Sequence, residues 1–207
     1  MENVLDCYNQ LYDPKRPLWC VDERPCQLLG DVLVPIPMKP KRIKREDYHY
    51  KRMGTCTILI AFQPHTGQRV VKVYKHRGYK EYAEFMLELK NNHCPDAEQL
   101  VVVQDNLSTH TQAAFYAVLP PDQALETARK FEMHFTPTNA SWLNMVEIEL
   151  SVLSQQCLNR RIDSMEFLNQ EVQAWATERN SQQATVHWQF TPELAREKFK
   201  RHYPDLS

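Results

Sequence analysis

Apolar and polar positions change period several times along the chain. Val4, Tyr8 and Leu11 recur at helical spacing, which predicts a short leading helix within residues 1–12. Leu18-Trp19-Cys20-Val21 follows Pro17 as a short apolar run, read as a buried strand ending at Asp22. Thr55 to Phe62 and Arg69 to Tyr74 carry strand patterns, and Pro64 and Gly67 between them predict an antiparallel hairpin. Between Lys80 and Asn92, Tyr82, Phe85, Met86 and Leu89 fall on one side of a helix of about three turns. Leu100-Val101-Val102-Val103 reads as a central strand ending at Asp105. Ser108 or Thr109 is expected to cap a helix that runs to about Leu119, where Pro120-Pro121 stops it. Phe131 to Thr136 is a fifth strand.

Farther on, Ser141 is expected to cap a helix whose stripe, Leu143, Val146, Leu150, Leu153 and Cys157, keeps one face. Asp163 and Glu166 form a capping box for a second helix, striped by Met165, Leu168, Val172 and Trp175. Thr191-Pro192 opens a last helix, with proline at its first position. A hairpin followed by alternating helices and strands predicts an α/β protein, a mixed sheet with helices on both faces. Residues 1–17 read as a leading helix and linker, 18–180 as one domain, and 181–207 as an extension with a short helix.

Pro35, Pro37 and Pro40 interrupt this order, and regular structure is not expected around them. The same stretch carries Lys39, Lys41, Arg42, Lys44, Arg45, Lys51 and Arg52 against Glu46 and Asp47, with Tyr48, His49 and Tyr50 interleaved. The whole chain of 207 residues has a net charge of −1, so any nucleic-acid contact must come from such a local patch. This basic stretch, with Arg160-Arg161, is the expected DNA-backbone contact. No run approaches the roughly 20 apolar residues of a membrane span. The first residues have no signal-peptide pattern. Six scattered cysteines without a Cys-x-x-Cys pair read as reduced thiols of a cytoplasmic protein, with neither a disulfide framework nor a zinc site.

Asp22 and Asp105 follow the two most apolar strands, where open α/β sheets gather their chemistry. Parallel, neighbouring strands would bring the carboxylates within about one strand spacing of 5 Å, able to share a divalent ion. Glu147 and Glu149 are both candidates for a third ligand. At about 100° per residue they lie on opposite flanks of the apolar stripe, and helical geometry does not choose between them.

The segments Val21-Asp22-Glu23, Gln104-Asp105-Asn106-Leu107-Ser108-Thr109-His110, Thr136-Pro137 and Ser141-Trp142-Leu143-Asn144-Met145-Val146-Glu147 resemble the DDE-type endonuclease domain of mariner-like insertion-sequence transposases. The likeness extends to Glu23-Arg24-Pro25, the basic stretch, residues 156–161 and Trp188-Gln189-Phe190-Thr191. It implies a ribonuclease H-like fold with a five-stranded mixed sheet. It also selects Glu147 over Glu149, with 41 residues between Asp105 and Glu147. Asp22, Asp105 and Glu147 become the expected catalytic and metal-binding residues, with two Mg²⁺ ions, or Mn²⁺, about 3.5–4 Å apart. Asp22 would bridge both ions, and Asp105 and Glu147 would each hold one. The implied reaction is cleavage at transposon ends followed by transfer of the freed 3′-hydroxyl into target DNA.

By the same resemblance, Asn106 and His110 would support the ligands or contact phosphate. His110 otherwise reads as a helix-cap or surface histidine. Asn144, one turn before Glu147, would orient the carboxylate or contact phosphate, or be an ordinary surface asparagine. Trp142 is expected in the core. Glu149→Gln is expected to be nearly neutral. Full transposases of this group carry an N-terminal helix-turn-helix reader, which this sequence lacks. It therefore reads as a fragment, a split element whose partner chain supplies the reader, or a repurposed copy. The expected partners are transposon-end and target DNA and a second copy of the chain, with no membrane, in a cytoplasmic protein that joins the nucleoid when bound. Two alternatives accompany this reading: a catalytically silent DNA-binding or assembly module, and a ribonuclease H-like nuclease.

Overall fold

The computed structural model describes residues 1–202; the last five residues of the expected C-terminal extension lie outside the described residues. Five strands, β1 (Leu18–Asp31), β2 (Tyr50–Gln63), β3 (Gln68–Tyr74), β4 (Leu100–Gln104) and β5 (Phe131–Phe135), form one sheet in the order β3-β2-β1-β4-β5. The first three make an antiparallel meander, while β4 and β5 run parallel to β1. Six α-helices flank it: α1 (Glu2–Asn9), α2 (Tyr79–Glu88), α3 (Pro121–Arg129), α4 (Val146–Gln156), α5 (Met165–Ser181) and α6 (Pro192–Lys198).

Strand alternation divides the core in two. Leu18, Cys20, Val101 and Val103 point toward α1, α4, α5 and α6, packing with Val4, Leu5, Leu150, Leu153, Leu168 and Val172. Trp19, Val21, Leu100 and Val102 point the other way, against Tyr82, Phe85, Met86, Phe115 and Ala124. The expected mixed sheet with helices on both faces is the architecture found. Gly67 closes the β2–β3 turn with φ +71°, and a Cβ there would meet the Gln183 backbone at 2.7 Å, so both conformation and space require glycine.

Several elements differ from the sequence pattern. β1 continues nine residues past Asp22, antiparallel to β2 with an irregularity at Leu28/Leu29. Its apolar run ends at Val21 because β4 pairs with it only over Leu18–Cys20; beyond that, one edge is open and Pro25 is tolerated. The helix expected from Ser108 or Thr109 is a 3-10 turn at Gln112–Ala117. The preceding loop instead folds inward, with the Gln104 amide donating to the His110 carbonyl at 2.9 Å. Pro121 does not only stop a helix; it opens α3, since the first helical position needs no N–H partner.

Likewise, Ser141 begins a separate 3-10 turn (Ser141–Leu143), Asn144 is extended, and α4 starts at Val146. Its five-residue apolar stripe is nevertheless buried. Ser164 rather than Asp163 caps α5, accepting from the Phe167 N–H at 3.3 Å. Thr191 caps α6 as its pattern predicts. The proline-rich stretch is not structureless. Ile36 bridges Arg45 and Lys39 bridges Arg42, forming a small hairpin arm whose tip places Pro40 before Lys41 at φ +61°. This is the pattern of a type II turn. All six cysteines are free, and five of them are buried.

Candidate active site

The site forms where β1 and β4 part. Their parallel pairing ends at Cys20 opposite Val103; Asp22 and Asp105 each lie two residues beyond that last pair, Asp105 one residue past the end of β4. Asp22 is therefore an in-strand residue on the face toward α4, rather than a turn former. Its Oδ1 accepts the Glu23 N–H at 2.7 Å. Burial lifts its carboxyl to about 7, and the charges of Asp105 and Glu147 add to that rise. Both of the other expected carboxylates thus lie within electrostatic reach of Asp22.

The helix also separates the two glutamates that spacing left undecided. Glu147 is half-buried, lining a cleft with Glu23, Arg24 and Pro25. Glu149 points into the core, where Arg69 and Arg179 grip both its oxygens and hold its carboxyl below the usual range against the opposing effect of burial. It is an ion-pair partner of β3 and α5, away from Asp22.

Asn144 is fully buried and donates to the Val21 carbonyl at 2.9 Å, while its Oδ1 has no hydrogen-bond partner. It is not a surface asparagine; it ties the start of α4 to the strand residue before Asp22. From the other side, the Tyr8 hydroxyl donates to the Leu143 carbonyl at 2.6 Å and accepts the Met145 N–H at 3.3 Å. Helix α1 thereby braces the approach to Glu147.

Asp105 is half-buried on its loop, where Nδ1 of His110 meets its Oδ1 at 2.6 Å and holds its carboxyl below the usual range. His110 is wholly buried, which excludes the surface reading and direct phosphate contact in this conformation. Burial pulls its imidazole down, but hydrogen bonds and charge from Asp105 and Glu23 prevail and raise it to about 9. Asn106 is exposed and lines a second cleft with Asp105, Thr136, Pro137 and Ser141. Trp142 is 46% exposed, edge-on to Phe190, and so lies outside the core in which it was expected.

Lys39, Lys41, Arg42, Lys44 and Arg45 are exposed on the arm, and Lys51 and Arg52 on the outer end of β2; Lys44 pairs with Glu46. Arg160 and Arg161 are differently employed. Arg160 pairs with Glu171, and Arg161 binds Asp31 at 2.7 Å and the Asp47 carbonyl at 2.5 Å, anchoring the base of the arm. Glu23, Arg77, Tyr82 and Gln104 complete the surroundings of Asp105 without having been singled out. The available signal was Gln104, a polar residue closing an otherwise apolar strand.

The donors suit a hard divalent cation: carboxylate oxygens around a buried acid that, among the described residues, forms no salt bridge. Among the described residues, no three acidic, histidine or cysteine side chains close into a ready metal cage. The carboxylates stand as neighbours rather than as a preformed shell.

A five-stranded mixed sheet in this order, flanked by helices, is the ribonuclease H-like fold. The chain belongs to the DDE superfamily endonuclease family, whose model matches residues 17–169. Solved structures of the same fold include the Mos1 mariner paired-end complex with Mn, at 15% identity and a TM-score of 0.57 over 88% of this chain and 55% of that one. The Mos1 strand transfer complex gives 15% identity and a TM-score of 0.58, covering 88% of this chain and 54% of that one. The Mos1 transposase paired-end complex with the left transposon end gives 15% and 0.56, covering 88% and 56%. The chain thus spans just over half the length of those transposases. No curated relative matches the sequence. Enzymes of this family are typically phosphoryl-transfer enzymes that use divalent metals. No helix among the described residues is long and apolar enough to cross a membrane.

Proposed function

We propose that this chain is the catalytic domain of a transposase that cleaves DNA at transposon ends and transfers the 3′-hydroxyl into target DNA. The observation that carries the reading is Asp22: a buried acid at the mouth of the sheet, its carboxyl raised by burial and by Asp105 and Glu147. Such a cluster is costly unless a cation is shared among its members. Asp22, Asp105 and Glu147 would hold Mg²⁺ or Mn²⁺, two ions per site, which when bound activate the attacking hydroxyl and stabilise the leaving oxygen. Asn144 and Tyr8 keep the helix of Glu147 in register with the strand of Asp22. The clefts on either side of the cluster, one with Arg24 and one with Asn106, give a DNA strand a path past the carboxylates.

The arm supplies the positive surface for the DNA backbone. It also exposes Val34, Met38, Ile43 and Tyr48, which supports a homodimer on paired ends. A separate chain could supply the helix-turn-helix reader, and the place of action is the cytoplasm at the nucleoid. A second reading, a catalytically silent DNA-binding or assembly module, is favoured by the separate stance of the three carboxylates.

The test is nicking of a supercoiled plasmid carrying the element's ends, with Mg²⁺, Mn²⁺ or EDTA. The parent is expected to nick only with metal. Asp105→Asn should lower the rate by at least about 100-fold while binding DNA as before, because it removes a ligand charge and no basic contact. Equal cleavage by Asp105→Asn would sink the site assignment. Metal-independent DNA binding without any nicking would favour the silent module.

A further inference from the structure

Asp105 has no strand around it; its position depends on what holds its carboxylate. Oδ1 is held by His110 Nδ1 at 2.6 Å and by the Leu107 N–H at 3.3 Å. The His110 ring is fixed on its face by Tyr82, 4.7 Å between centroids. The Tyr82 hydroxyl donates to Gln104 Oε1 at 2.6 Å, and the Gln104 amide donates to the His110 carbonyl. These contacts set the ring plane but not which edge faces Asp105. A half-turn of an imidazole exchanges each nitrogen for a carbon, and nothing in the stack distinguishes the two orientations.

Asp105 favours one of them through its bond to Nδ1, and Glu23 adds to that preference from the other edge of the ring. His110 Nε2 is buried without a good hydrogen bond, and Glu23 Oε2 faces it at 3.4 Å. Only the orientation that gives Nδ1 to Asp105 also gives Nε2 to Glu23; the turned ring offers carbon to both carboxylates. The other Glu23 oxygen is gripped by Arg77, which reaches in from the surface before α2. Glu23 is on the opposite face of β1 from Asp22, as strand alternation requires, and has only 6% of its side chain exposed.

We propose that Glu23 is a positioning residue. Held by Arg77, it locks, together with Asp105, the orientation of His110, and through His110 it keeps Asp105 Oδ1 occupied, so that Oδ2 is the oxygen left to a metal ion. This rests on the metal-dependent reading above. Partners of this kind behind a ligand alter metal affinity by about 10–100-fold in other sites.

The test uses Glu23→Ala, Glu23→Gln and Arg77→Ala, with Mn²⁺ affinity read by electron paramagnetic resonance, DNA affinity in EDTA, and metal-free crystal structures. Glu23→Ala is expected to bind Mn²⁺ at least about 10-fold more weakly, while its DNA affinity in EDTA should not fall, since the change removes a negative charge from the cleft. Its crystal structure should have His110 turned and Asp105 in another rotamer. Glu23→Gln, which keeps an acceptor of the same reach, should recover affinity to within about 3-fold of the parent, and Arg77→Ala, at the exposed end, should lose about 3-fold. The proposal is overturned if Glu23→Ala leaves His110 and Asp105 in place. It is also overturned if Glu23→Gln is as impaired as Glu23→Ala, for then Glu23 acts as a ligand or a bare charge. A parent chain that binds no Mn²⁺ would instead refute the metal-dependent function. The metal-free structures would still decide whether Glu23 positions Asp105.

Discussion

Asp22 destabilises the fold it serves. Its carboxyl rises from 3.8 to about 7 on folding, so the folded chain retains a proton that the unfolded chain releases. Stability from this group is fully present below pH 3.8 and is lost as pH rises through 7. Asp22→Asn removes that loss while keeping an acceptor for the Glu23 N–H. It should stabilise the metal-free protein at pH 8 by about 2 kcal/mol, discounting the full shift for residual solvation. Thermal unfolding between pH 4 and 8 checks this: the parent should lose midpoint across that range more steeply than the variant. Added Mn²⁺ should raise the midpoint of the parent only.

Glu149 is the opposite case. Sequence spacing made it an exchangeable helix glutamate, yet it closes a buried network with Arg69 and Arg179, and Arg69 also donates to the Gly67 and Ala184 carbonyls. Glu149→Gln should cost about 3 kcal/mol, because it leaves two guanidinium groups facing a neutral partner in the interior. The near-neutral outcome expected from the sequence concerned cleavage; the cost in stability is a separate one, and urea unfolding would measure it. Asp22 was legible because an acid ending an apolar run stands out. Arg69 and Glu149 were not, because their pairing joins positions far apart in the chain.

At the scale of elements, the arm between β1 and β2 is both basic and apolar. Replacing Lys39, Lys41, Arg42 and Arg45 with alanine should weaken DNA binding and reduce its salt slope by about 3–4, near 0.9 per lost phosphate contact. A titration at several salt concentrations checks this, and an unchanged slope would remove the arm from the DNA path. Arg160 and Arg161 are already engaged in ion pairs and should add little to the slope. The strands were largely legible, since their apolar runs reflect burial on both faces. Helix starts were less so. Pro121 can stop a helix or open one, and Ser141 and Asp163 had capping chemistry while the backbone placed the caps elsewhere. At Ser141 a tertiary contact decided the outcome: Asn144 bound to β1 breaks the path from Ser141 into α4.

For the whole molecule, the leading helix is part of one continuous packing scheme. Val4, Leu5 and Cys7 are buried in the larger core cluster, Tyr8 braces the Leu143–Met145 turn, and Arg196 of α6 holds Glu2 with two hydrogen bonds. Deleting residues 1–9 removes these side chains at about 1.5–3 kcal/mol each, a sum comparable with the whole stability of a domain. The truncated chain should lose its near-ultraviolet circular dichroism and its cooperative thermal transition. The mixed sheet could be read from periodicity, and the candidate acids from where apolar runs stop, although β1 continues past Asp22. The brace from α1 could not, because a short helix 135 residues from the turn it supports leaves no local signature.

The early divergence of β4 from β1 has a further consequence. Past Asp22, β1 keeps only β2 as a partner, and Leu29 next finds a bond across that open side, to the Ile162 carbonyl. Between them lies a stretch of half-made ladder, the kind of edge along which chains add to one another as aggregates. Glu23, Arg24 and Pro25 occupy it: two charges, then a residue that cannot donate. The opening proposed as the path of a nucleic acid strand is thus guarded against admitting a polypeptide strand.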